Sequence, residues 1–171
     1  MGYLVLFARK MSLKSQINDK NYQLLQKRQE LQDLQSYTAA IADGEVSMTD
    51  LTTTPASMFG RMSQYMVGSH NYAMNAASQN YAYLQGSGQT GQGQDATAQA
   101  QYQQLVMKNL YDQQKAQFQK AEQARLNVKD KQLDNECLKI EQELKLLESE
   151  YEQLGSAVDS AVKSSAPQYV A

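Results

Sequence analysis

The sequence predicts an all-α fold, an elongated antiparallel helical hairpin or three-helix bundle with a long C-terminal coiled-coil helix, and three observations carry that reading. Leucine and isoleucine recur at helical spacing near the N-terminus. A sustained heptad repeat occupies the C-terminal third. Between them, Leu51 to Gln94 carries one formal charge, Arg61, while both flanks are dense in Lys, Arg, Asp and Glu. With 25 Gln, no Trp, three Phe and a mean hydropathy of -0.63, the chain has apolar stripes and lacks the material for a large globular core.

The N-terminal amphipathic helix falls within residues 1–46. Its periodic part runs from Met11 to Ala42, where Leu13, Ile17, Leu24, Leu31, Leu34 and Ile41 recur at three, four or seven residues, and Gly44 supplies the stop. Lys20 and Lys27 fall where a continuous seam wants apolar residues, so this helix is expected to lean on a longer one. The run Tyr3–Ala8 is far shorter than the roughly 20 residues that span a bilayer, and its positive charges follow it instead of preceding it, so no membrane span or cleavable signal is expected. Leu6 stands where a myristoylation pattern has Ser or Thr. Met11, followed by Ser-Leu-Lys-Ser, reads as an alternative start of translation.

Residues 47–85 form the uncharged Met/Tyr/Ala-rich helical segment. Ser47 and Asp50 have capping-box spacing, and Thr52-Thr53-Thr54 disfavours a long helix, which predicts a corner holding one helical turn. Thr54 is then the N-cap of the next helix, with Pro55 at its first position. The face of that helix comprises Met58, Met62, Tyr65, Met66, Ala73, Ala76, Ala77 and Leu84, with Gly68 and the alanines open to a close neighbour. Residues 86–94, a Gly/Gln linker without an apolar side chain, mark the sharpest boundary.

A long coiled-coil helix is predicted over 95–163, capped by Asp95, and a flexible tail over 164–171. Leu126, Leu133, Ile140, Leu147 and Leu154 repeat every seven residues, with Cys137, Leu144, Tyr151 and Val158 interleaved, as in a coiled-coil seam. Met107, Tyr111 and Phe118 follow a register displaced by roughly four residues, as a stutter produces, and Asp130 interrupts the seam. The seam is the expected oligomer interface. The tyrosine and methionine enrichment of the charge-poor middle makes Met58, Met62, Tyr65, Met66, Tyr72 and Tyr81 the candidate partner surface.

Catalytic, cofactor-binding and metal-binding residues are not assigned. His70 is the lone histidine and Cys137 the lone cysteine, in separate segments, whereas zinc sites draw on several such ligands. A seam position predicts a buried, inert thiol for Cys137, and symmetric parallel pairing would bring two copies of it together. The Gly86–Gly93 run lacks the ending and the lysine of a phosphate loop. A net charge of -2 disfavours nucleic acid as a partner.

The leading functional expectation is a non-enzymatic structural or scaffolding coiled-coil protein that self-associates and binds protein partners, without cofactor or small-molecule substrate. It is cytoplasmic, or exported by a route without a cleavable signal peptide. One alternative is a subunit of a secretion-system or surface filament. Two terminal helices flanking a middle of different composition give a layout similar to that of flagellin-like and type III secreted filament subunits, a similarity of plan that rests on no residue motif. The other alternative is a helical chaperone or adaptor that grips client helices with its methionines.

Overall fold

The computed structural model describes residues 2–42, 46–87 and 96–165, and among them every regular element is helical: α1 (Gly2–Ala42), α2 (Met48–Thr53), α3 (Ala56–Gly86) and α4 (Ala96–Ser165). The fold is all-α. Two compact units divide the chain, one built from residues 1–31 and 131–171 and the other from 32–130, so α1 and α4 each contribute to both.

In the first unit α1 and α4 form the antiparallel hairpin that the two stripes call for. Leu13 of α1 and Leu133, Cys137, Leu144 and Val158 of α4 are buried, and Leu24 packs with Cys137 and Leu144, flanked by Ile17 and Ile140. The seam of α4 is thus filled by the stripe of the same chain's α1. The lysines that break the stripe make the pairing specific. Lys20 Nζ lies 2.5 Å from Glu143 Oε2, and Lys27 Nζ lies 2.9 Å from Glu136 Oε2 and 3.2 Å from Glu30 Oε2. Lysines seven residues apart on α1 therefore meet glutamates seven apart on α4, running in the opposite direction. Their stems cover apolar surface while the ammonium groups stay at the rim. Arg9 donates to Glu150 at 2.6 Å and Arg28 to Glu141 at 2.7 Å, and Lys10 sits 5.2 Å from the Tyr151 ring centroid. The Lys27 ammonium is held above its ordinary pKa by its bonds to Glu136 first and Glu30 second.

The first unit's part of α1 carries Arg9, Lys10, Lys14, Lys20, Lys27 and Arg28 against Asp19 and Glu30. Its part of α4 has the reverse imbalance, eight carboxylates against four lysines. Pairing α1 with α4 matches these charges, whereas pairing two copies of this stretch of α4 would oppose like charges.

The second unit is a three-helix arrangement closed by a short turn. Leu34, Tyr37 and Ile41 from α1, Met58, Met62, Tyr65, Ser69, Ala73 and Ala77 from α3, and Leu126 from α4 are buried. Asp33 of α1 accepts from Ser57 of α3, Tyr37 of α1 lies beside Arg61, and Arg61 in turn meets Glu122 of α4. These pairs make α1 and α3 parallel to each other and antiparallel to α4. Such a connection needs the chain to double back between α1 and α3, which α2 does. Ser47 and Asp50 cap α2 reciprocally, the Ser47 amide donating to Asp50 Oδ2 at 2.7 Å, and that amide with the Ser47 hydroxyl holds the Asp50 carboxyl below its usual range.

Four expectations change in detail. The apolar run Tyr3–Ala8 joins α1, which begins at Gly2 because no breaker separates the run from the periodic stretch. Thr54 does not cap α3. Its hydroxyl donates backward to the Asp50 carbonyl at 2.6 Å, so it closes α2, and Pro55 is the N-cap of α3 with no side-chain bond. At Gly68 the neighbour is a side chain: a Cβ there would lie 3.6 Å from Phe118 Cζ, an ordinary contact, so no close backbone approach depends on this glycine. Asp130 accepts from Gln35 Nε2 at 3.1 Å, which gives the polar seam position a partner within the chain. Gly44, Asp95, most of the 86–94 linker and most of the 164–171 tail lie outside the described residues.

The lysine–glutamate ladder predicts a reversible defect. Lys20→Glu with Lys27→Glu should lower the urea midpoint of the full chain, and adding Glu136→Lys with Glu143→Lys should restore most of the loss. A recombined chain as unstable as the first variant would show that these bonds do not set the register.

Candidate interaction surface

Arg61, the one charge in the uncharged stretch, is used internally. Its Nε and Nη2 donate to Glu122 Oε1 at 3.1 and 2.8 Å, and Glu122 is nearly buried. Tyr37, 1% exposed, donates its hydroxyl to the same oxygen at 3.4 Å, and the Arg61 guanidinium lies 5.5 Å from the Tyr37 ring centroid. Arg125 approaches the second carboxylate oxygen at 3.6 Å. One carboxylate thereby gathers groups from all three long helices. Burial pushes the Tyr37 phenol up to about 12, with the Glu122 charge adding to it. Burial followed by Glu122 also raises Tyr65. Burial opposes the Arg61 charge, but the bond and the charge of Glu122 outweigh it and hold the guanidinium above its ordinary value. A cavity of about 560 Å³ beside the cluster is lined by Gly60, Arg61, Gln64, Tyr65, Phe118, Glu122 and Arg125.

The candidate partner residues divide. Met58, Met62 and Tyr65 are interior to the second unit, Met66 and Tyr81 are half-buried, and Tyr72 is exposed with its ring 5.5 Å from that of Phe118. The same enrichment in Met and Tyr serves an intramolecular core here. The seam residues Leu126, Leu133, Cys137, Leu144 and Val158 are buried within one chain, and Ile140, Leu147, Tyr151 and Leu154 are half-buried. Burial raises the Cys137 thiol, which disfavours the reactive thiolate.

What α3 leaves exposed is a face without charge. Beyond Arg61 the helix carries no Asp, Glu, Lys or Arg through Gly86, and it exposes Val67, Tyr72, Met74 and Tyr83 among Asn, Gln and Ser. Along one side of it, α3 and α4 form a shallow groove of about 340 Å³ lined by His70, Met74, Gln104, Met107, Lys108 and Tyr111. His70 Nδ1 and the Tyr111 hydroxyl are 3.0 Å apart, with the rings edge to face. Among the described residues no three His, Cys, Asp or Glu side chains cluster as a metal site, and no helix is long and apolar enough to cross a membrane.

The geometry defines a class, an all-α protein of paired antiparallel helices whose internal polar cluster is satisfied and whose longest uncharged face is open. The chain matches no protein-family model, no curated protein and no solved structure.

Tyr37, Glu122 and Arg125 carry the polar cluster, and apolar periodicity alone does not mark them. Tyr37 follows Leu34 by three residues on the same stripe, and Glu122 follows Phe118 by four, at seam spacing. A carboxylate in a seam, with one cation in an otherwise uncharged helix, is the signal that pairs them.

Glu122→Gln should lower stability by about 2 kcal/mol in urea denaturation, less than the roughly 3–5 for breaking a fully buried pair because Arg61 keeps some contact with water. Replacing both Arg61 and Glu122 by Leu should cost less than the two single changes added together, and strict additivity would deny the coupling. The tyrosinate absorbance of the native protein should contain one step near pH 12 that is absent in Tyr37→Phe. Because the folded-state value is raised, this group's contribution to stability is complete below about pH 10, the unfolded value, and is lost as pH rises toward 12.

Proposed function

We propose that this chain is a non-enzymatic structural or scaffolding protein that self-associates and binds protein partners through the uncharged face of α3. The observation that carries the reading is the open stretch of α3 beyond Arg61, which has no formal charge and exposes Val67, Tyr72, Met74 and Tyr83. Covering such a face desolvates no ion, and interface cores are depleted in charge and enriched in Tyr and Met. A second copy is a natural cover, since a face without charge does not repel itself and a two-fold contact uses the same patch twice. The α4 seam is occupied by α1 of its own chain, so association uses α3 without opening the first unit.

The apolar groove beside this face also favours an adaptor, because Met74 and Met107 can repack around a client side chain.

Light scattering coupled to size exclusion over a tenfold concentration range tests the reading. A fixed mass of two or more chains is expected. It should fall to one chain in Val67→Glu with Asn71→Lys, two exposed positions one turn apart where the new pair supports the helix while charging the face. A mass of one chain at every concentration overturns self-association and leaves the adaptor reading. A mass that grows without limit favours a filament subunit.

A further inference from the structure

The groove between α3 and α4 combines donors that a contact surface does not require. His70 and Met74 are four residues apart on α3, Met107 and Tyr111 are four apart on α4, and all four line one groove of about 340 Å³. Each pair therefore projects from one side of its helix toward the other pair. We propose that this groove binds one soft monovalent cation, Cu(I) or Ag(I), through the His70 imidazole and the thioether sulfurs of Met74 and Met107.

The chemistry of the donor set selects the ion. Thioethers are soft, neutral ligands that favour Cu(I) over borderline and hard cations, and imidazole is a good companion ligand. Zinc is disfavoured, because it takes thiolate, imidazole and carboxylate ligands, and His70 belongs to no cluster of three such side chains among the described residues. The Tyr111 hydroxyl, 3.0 Å from His70 Nδ1, supplies the orienting bond that ligating histidines use. With Nδ1–H donating to the phenol oxygen, Nε2 keeps its lone pair for the metal. The groove is wider than a bare ion needs, and the three torsions of methionine let both sulfurs turn inward. Lys108 on the lining carries a like charge, which its flexible stem can lift into water. Every donor comes from one chain, so the site needs no second copy, although a copy seated on the α3 face would cover Met74 and compete with the ion.

Titration of the full-length chain with Ag(I), and anaerobically with Cu(I), should give one ion per chain. With methyl-labelled methionine, two of the methionine resonances should shift, and these should be the two that Met74→Leu and Met107→Leu remove. The double Leu variant keeps the groove apolar and the volumes similar, so the fold should persist. Its dissociation constant should rise at least about tenfold, and Tyr111→Phe should weaken binding by roughly ten- to a hundredfold through the lost orientation of His70. The same titration of Cys137→Ala separates binding at the thiol. Unchanged affinity in the double Leu variant, binding lost in Cys137→Ala, or shifts confined to other methionines would each overturn the site.

Discussion

The second unit depends on a single carboxylate. Glu122 accepts from Arg61 of α3 and Tyr37 of α1 while belonging to α4, so each long helix contributes to one cluster. Apolar contacts supply most of the energy there, at about 1.5–3 kcal/mol for each large side chain fully buried. They are non-directional, however, and Leu34, Met62 and Leu126 would tolerate several rotations of one helix against another. A forked guanidinium bonded to a carboxylate beneath a buried phenol tolerates few. The cluster leaves no orphaned polar atom, since no buried side-chain nitrogen or oxygen among the described residues lacks a partner.

The first unit solves the register problem without burying charge. Its core is a thin seam, with Leu24, Cys137 and Leu144 at the centre, and sliding a thin seam by one heptad would still bury leucine on leucine. A one-heptad slide in one direction would set Lys27 against Lys129. In the other, Lys20 and Lys27 would still meet Glu150 and Glu143, but Glu136 would lose Lys27 and Arg9 would exchange Glu150 for Ala157. Exposed ion pairs of this kind add little stability individually. Their value lies in excluding alternatives: a copy of this part of α1 offers an excess of cations, and a copy of this part of α4 an excess of anions.

Much of the fold was legible because periodicity reports which face of a helix is covered. The stripe from Leu13 to Ile41 and the heptads from Leu126 to Val158 mark the faces that meet. Periodicity does not say what covers them, and the same seam serves a second chain or α1. The lysine interruptions narrowed the answer, since spacing of seven on both helices with opposite charge marks α4 as the mate of α1, while the antiparallel direction shows only in which lysine meets which glutamate. The interaction surface was harder to read. Charge depletion in Leu51–Gln94 reflects two different facts, the interior side of α3 at Met58, Met62 and Tyr65 and its open side at Val67 and Met74, and composition averages over both. Helical angle separates them only once the inward side is known.

The long sequence separation between α1 and its partners has a consequence for synthesis. Arg9 bonds a residue 141 positions later in the chain, and Arg28 one that is 113 later. At about 5–20 residues per second, α1 leaves the ribosome roughly six to twenty-eight seconds before the part of α4 that covers it. Throughout that interval its leucines face water or whatever nascent chain lies nearby. The lysines within the stripe keep two waiting copies of α1 apart, so the residues that later fix the register first act as a guard against premature clustering on the polysome.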